Sequence, residues 1–212
     1  MKKRFITMGI LIGVLLSFTV MAQANTIMDL NYAYTGDSPS GTPPWLTLDF
    51  YQTTVNTLIL VTLTMTAHLQ DPSEFITNVY FNVYPQVTDL NIVPFAGPVG
   101  TAMIDYDNLK APGDGKYDVK IEFPNNPLSA RFDGSDVAVF TITGTELLDS
   151  YFDCLSVPAG GSGPFRAVAH VQGITGTYGS GHITEGVQVP EPGMLLLMGA
   201  GLLGLWAVRR RK

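Results

Sequence analysis

Between residues 46 and 173, apolar and polar side chains alternate one for one, in short runs broken by clusters of glycine and proline. In Val61–His68, Val61, Leu63, Met65 and Ala67 share one parity, and Thr62, Thr64, Thr66 and His68 share the other. Lys116–Phe123 sets Tyr117, Val119, Ile121 and Phe123 against Lys116, Asp118, Lys120 and Glu122. Asn78–Tyr84 sets Val79, Phe81 and Val83 against Asn78, Tyr80, Asn82 and Tyr84. Successive side chains of an extended chain point to opposite faces, so each run predicts a strand with one buried face. Leu46–Tyr51, Ala102–Tyr106, Val137–Thr143 and Ala167–Gly173 are further strand candidates. Between them lie the turn clusters Gly36–Gly41, Ala111–Gly115, Pro124–Pro127 and Gly160–Pro164. Seven or more short strands with this punctuation predict a single antiparallel β-sandwich. The best helical candidate in the body, Thr145–Tyr151, is short, and no tandem repeat is evident.

The two ends follow another pattern. Lys2, Lys3 and Arg4 precede an apolar stretch, Ile6–Met21, and then Ala22-Gln23-Ala24. A basic start, an apolar middle and small residues at A-x-A spacing predict a signal peptide, residues 1–24, cut after Ala24 by signal peptidase. At the other end, Pro190-Glu191-Pro192 leads into an apolar run and then Arg209, Arg210, Arg211 and Lys212. Residues 193–208 as a helix would be about 24 Å long at ~1.5 Å per residue. That is a little short of a hydrocarbon core of ~30 Å, so spanning requires local thinning or snorkelling flanks. The four terminal cations are expected to stop transfer and to stay on the cytoplasmic side.

Pro190-Glu191-Pro192, a short apolar helix and an arginine-rich end, in that order, resemble the PEP-CTERM sorting signal of exported bacterial proteins. The resemblance covers Val189–Lys212 only. It implies recognition by exosortase, a membrane-embedded cysteine-type transpeptidase that cuts at or near the triplet, and an association with exopolysaccharide and biofilm. Gly193 and Met194 stand where alanine or threonine often follows the triplet, a small departure. More weakly, Phe81-Asn82-Val83, Asp114–Asp118, Phe132–Ser135 and Ala169–Ile174 resemble blocks in a group of small exported PEP-CTERM proteins; that likeness supplies no catalytic residue.

Composition then narrows the function of the body, residues 25–188. It keeps five cations, Lys110, Lys116, Lys120, Arg131 and Arg166, against seventeen carboxylates, a net charge near −12. A nucleic-acid partner needs a basic footprint, so none is expected. An anionic polymer would be repelled unless divalent ions bridge it. The length suffices for one core. Cys154 is the sole cysteine and sits between Phe152-Asp153 and Leu155, which predicts a buried inert thiol and no internal disulfide.

Candidate chemistry is sparse. Asp105, Asp107, Asp114 and Asp118 crowd around a glycine-rich turn and suggest a calcium site, since hard cations take oxygen ligands. The spacing is not that of an EF-hand: Lys110 stands where glycine is needed and Lys116 where glutamate is needed. An ordinary hairpin turn at Asp114-Gly115 explains the same residues. Tyr80 and Tyr84 share a parity with Asn78 and Asn82, a pattern that suits sugar stacking and equally suits cross-strand aromatic pairing. Trp45, Tyr51, Tyr106 and Tyr178 are further stacking candidates. Ser162 lacks the second glycine of a nucleophile elbow at the required spacing, so Gly160–Pro164 reads as a flexible loop. His68, His170 and His182 show no close metal-ligand spacing, and His170 reads as a hydrogen-bonded structural histidine.

These observations predict an all-β chain whose body is a β-sandwich, immunoglobulin-like or jelly-roll-like, between a signal peptide (1–24) and a sorting segment (189–212). It is expected to cross the inner membrane, hang there in transit, and end in the periplasm, at the cell surface or in the matrix. The leading function is a non-catalytic, exopolysaccharide-associated surface or matrix protein without a required cofactor. A calcium-stabilised carbohydrate-binding module is the alternative, and an extracellular hydrolase comes third.

Overall fold

In the computed structural model, which describes residues 25–55 and 58–186, the body is all-β. The strands are β1 (Thr26–Gly36), β2 (Leu46–Val55), β3 (Leu58–Ala67), β4 (Phe75–Phe81), β5 (Asn91–Ala96), β6 (Thr101–Lys110), β7 (Lys116–Glu122), β8 (Phe132–Asp133), β9 (Val137–Thr143), β10 (Ala167–Gln172) and β11 (Ser180–Glu185). Two short 3-10 turns, Leu128–Ala130 and Asp149–Phe152, interrupt them. The second overlaps the short helix expected over Thr145–Tyr151. The signal segment 1–24, with Ala22 and Ala24, and the sorting segment 189–212 lie outside the described residues. Among the described residues no helix is long and apolar enough to cross a membrane.

Every strand pair is antiparallel, and the strands run in one path: β5-β9-β3-β2-β1-β11-β10-β4-β7-β6, with β8 added to β4. The two ends of that path are consecutive strands, joined by the four-residue turn 97–100. The sheet therefore curls into a nearly closed barrel. The all-β class and antiparallel pairing hold, but the two packed sheets of the expected sandwich are replaced by one continuous ladder. The reason is physical: period two reports which face is buried, not whether neighbouring strands keep their hydrogen bonds around a corner. Gly97 makes the closing turn at φ +77°, and a Cβ there would stand 1.9 Å from the Val137 carbonyl oxygen.

The inward parity matches the alternation. Leu46, Leu48 and Phe50 of β2, Val61, Leu63, Met65 and Ala67 of β3, and Ala138, Phe140 and Ile142 of β9 are fully buried. With Met28 and Leu30, Val79 and Phe81, Val119 and Ile121, and Ala167, Ala169 and Val171, they form one core inside the curl. Each large apolar side chain so buried contributes about 1.5–3 kcal/mol.

Two departures matter for the outer surface. The strand β4 is buried on both faces except at Asn78, so the expectation of one wet face over Asn78–Tyr84 fails. In β7, Tyr117, Asp118 and Val119 are all buried, and Tyr117 joins Tyr80, Ala111 and Val168 in a second, smaller apolar cluster. Tyr34, Leu109 and Phe165 pack against it. Loop segments lie over this part of the sheet and give it a second layer.

Candidate functional site

The acidic residues are brought only partly together. Strand β6 carries an irregularity between Ile104 and Leu109, where Asp107 takes φ 53°. Asp118 holds that bend: its Oδ1 accepts the Asp107 N–H at 2.8 Å and its Oδ2 the Val83 N–H at 2.9 Å. Burial raises the Asp118 carboxyl above the ordinary range, while these two donors act the other way. Asp105 accepts the Asn108 side-chain amide at 2.6 Å, and Asp107 accepts that of Gln86 at 3.3 Å. Asp114 belongs to the β6–β7 hairpin and accepts the Tyr117 hydroxyl. Among the described residues no three His, Cys, Asp or Glu side chains stand together so as to hold a metal ion.

The hairpin itself turns at a different glycine from the one the sequence suggested. Asp114 N–H bonds the Ala111 carbonyl at 3.3 Å, and Gly113, not Gly115, takes φ +77°. Pro112 and Gly113 thus occupy the two central positions of a turn that needs proline first and a left-handed residue second.

Gly160–Pro164 is a seated loop rather than a free one. The Ser162 N–H donates to the Gly113 carbonyl at 3.0 Å. A Cβ on Gly161 would lie 2.2 Å from that same oxygen. Ser162 is exposed and supplies a backbone contact, which is why the segment needs its glycines.

Tyr80 and Tyr84 do not share an exposed face. Tyr80 is only 6% exposed, with its ring 5.7 Å from that of Tyr117, so it offers no platform to a sugar. Tyr84 lies beyond the end of β4 and is 74% exposed. Trp45 is buried, its indole N–H donating to the Ser40 carbonyl at 3.0 Å. The Tyr106 hydroxyl donates to the Val87 carbonyl at 2.5 Å. Cys154 is half-buried, and burial followed by the nearby Asp118, Asp153 and Asp107 carboxylates pushes its thiol up to about 12. A thiol so disfavoured as thiolate is a poor nucleophile.

One arrangement escaped the sequence reading. His170 on β10 and His182 on β11 are directly opposed in register, and their rings stack with centroids 4.5 Å apart and planes 18° from parallel. Asn78 on β4 stands opposite His170, so the three share a row on the outer face. The Tyr34 ring continues the strip, 6.0 Å from His182 and 5.1 Å from Phe165. Thr77 Oγ1 lies 2.8 Å from His170 Nδ1. The sequence carries half of the signal: His170 lies between Ala169 and Val171 in the strand expected over Ala167–Gly173, but no strand pattern places His182 opposite it.

Burial holds His170 below its ordinary value and, with the neighbouring ring's charge adding to it, brings His182 down to about 4. Folded His182 thus binds fewer protons than the unfolded chain between about pH 6.5 and 4. Its neutral form stabilises the fold fully above pH 6.5, and that contribution is lost as pH falls towards 4. Allowing for partial exposure, the loss is about 1–2 kcal/mol. Thermal melts of the protein in EDTA should therefore fall more steeply between pH 6.5 and 4 than melts of His182→Gln. Parallel curves would remove this account.

Arg166, the best-placed body cation, grips Glu185 by Nε at 2.6 Å and Nη2 at 2.5 Å, and reaches Asp153 at 2.6 Å. Glu185 and Gly186 are the last described residues of the body, and beyond them residues 188–212 match the PEP-CTERM protein-sorting motif. That match takes in Pro190, Glu191, Pro192 and the cationic end Arg209–Lys212. No curated protein and no solved structure matches the chain. The motif implies exosortase processing, and PEP-CTERM proteins are exported and sorted to the cell surface. The chain is thus an all-β body carrying a C-terminal PEP-CTERM protein-sorting motif.

Proposed function

We propose that the chain is a non-catalytic surface or extracellular-matrix protein, delivered through its sorting motif and resident among exopolysaccharide. Signal peptidase cuts after Ala24; the apolar segment 193–208 then holds the chain in the membrane, basic end inside, until exosortase acts. The observation that carries this reading is the sorting motif at 188–212 on an acidic all-β body. The carboxylates of that body support it by the roles they take. Asp37 accepts the Tyr178 and Gly179 N–H groups, Asp89 holds Thr145, and Glu74 holds Ser40. Such acids stiffen loops rather than face a substrate. A surplus of them also suits a protein that stays dispersed in a hydrated matrix or meets anionic polymer through divalent ions.

Deleting residues 188–212 should move the protein from the cell-surface fraction to the periplasm or medium, as read by fractionation and immunoblot. Mass spectrometry of the native protein should find Asn25 at the amino end and a cut near Pro190–Pro192. An unchanged distribution after the deletion would sink the delivery reading. Reducing sugar released from the host polysaccharide by the purified protein would sink the non-catalytic one.

A further inference from the structure

The stacked pair His170 and His182 has no part in sorting or in the main core. We infer that these two imidazoles form a binding site for one late first-row divalent transition ion, of the zinc or copper(II) class, on the outer face of the sheet. The backbone fixes their approach. They are directly opposed in a ladder with five register pairs, and side chains so placed stay within about 4.5–5.5 Å at Cβ. Two nitrogens bound side by side to one ion stand about 3 Å apart, given metal–nitrogen bonds of about 2.0–2.1 Å. Rings stacked 4.5 Å apart reach that spacing by tilting together at one edge, a side-chain rotation with no backbone change.

The surroundings of each ring fit a ligand. Thr77 Oγ1 accepts the Asn78 side-chain N–H at 3.2 Å and lies 3.3 Å from the His170 carbonyl, to which its own proton can go. Its remaining contact, 2.8 Å to His170 Nδ1, is then satisfied by a proton on that nitrogen. This tautomer leaves His170 Nε2 as the lone-pair nitrogen, with an outer-shell partner fixing the ring. No hydrogen bond engages His182 through its ring among the described residues, and neither of its ring nitrogens is a sealed, unsatisfied atom. Asn78, on the far side of His170 from His182, steadies the outer-shell partner Thr77 through its side-chain amide and is not itself a ligand. Two imidazoles completed by water suit zinc or copper(II) and do not suit calcium, which takes oxygen ligands only.

The full-length protein, solubilised in mild detergent, carrying a non-histidine affinity tag and stripped with EDTA that is then removed, provides the test. Titrated with copper(II), it should bind one ion, and its electron paramagnetic resonance spectrum should show coupling to two imidazole nitrogens. Zinc should displace the copper; calcium should not. His170→Ala and His182→Ala should each weaken zinc binding at least tenfold by calorimetry, and His68→Ala should leave it unchanged. Failure of the unmodified protein to bind, a one-nitrogen spectrum, or binding lost in His68→Ala overturns the inference. The chain has only three histidines. The spectra of the unmodified protein and of His68→Ala therefore decide the matter even if the other two variants do not fold.

Discussion

Phe152→Ala should lower the unfolding free energy by about 3–5 kcal/mol, the cost of deleting a buried phenylalanine and leaving its cavity. Phe152 belongs to no strand. The 3-10 turn Asp149–Phe152, in the connection from β9 to β10, brings its ring into the core fully buried. It stacks on Phe50 at 4.4 Å, 11° from parallel, and meets Phe81 edge-on at 5.9 Å. Each such aromatic pair adds about 0.5–1.5 kcal/mol to plain burial. Surrounding residues come from rigid strands, so the cavity has little means of collapsing. Since domains of this size have about 5–15 kcal/mol in all, the loss should be plain in the midpoint of a urea titration followed by near-ultraviolet circular dichroism. Phe152→Leu should cost less than half as much. A change under about 1 kcal/mol for alanine would mean that the turn does not dock as described.

Asp118→Ala should cost about 2–5 kcal/mol by the same measurement, since it strips acceptors from two backbone N–H groups at about 1–3 kcal/mol each. Those groups, on Val83 and Asp107, come from different segments that this carboxylate ties together, alongside the Gln86–Asp107 and Tyr106–Val87 contacts. Asp107 also sits at positive φ without being glycine, an uncommon conformation that the Asp118 carboxylate helps to hold. Asp118→Asn keeps one acceptor oxygen and should lose about half as much. Calcium bears on the meaning of this result. If it stabilises the native protein and that gain vanishes in Asp118→Asn, the carboxylate is a cation ligand rather than a brace, and the account of the bend given above fails.

The parts of the fold legible in the sequence were those governed by side-chain parity alone. The run Val137–Thr143 coincides with β9, and the inward set of Val61, Leu63, Met65 and Ala67 is buried as expected. Strands with little inward apolar weight were not legible. In β11 the inward positions are Gly181 and Ile183, and β5 contains Pro94, which depresses any strand signal. Missing β11 left the histidine row unread, because directly opposed residues are visible only once both strands are placed.

The acids mislead for the opposite reason. Asp105, Asp107, Asp114 and Asp118 are close in sequence and so suggest a shared ion. Yet Asp118 bonds Val83, thirty-five residues away, and Asp37 bonds Tyr178 and Gly179 across the whole body. Backbone N–H groups leave no trace in composition, so their demand for acceptors is invisible until the chain is folded. Tyr80 shows a related limit: alternation marks it as outward, and that outward face is made dry by Tyr117 and Val168 of the flanking strands together with Ala111 and Phe165 from loops.

The point from which the sorting tail departs has a mechanical meaning. Strand β11 lies between β1 and β10 in the middle of the ladder, not at a free border. At its exit the Arg166 guanidinium clasps Glu185, and Asn31 Oδ1 takes the Gly186 N–H at 2.6 Å. Tension arriving through the tail is divided between two flanking strands. It meets a clasped residue before it can peel any rung, so a pull on this exit is resisted where a border strand would unzip.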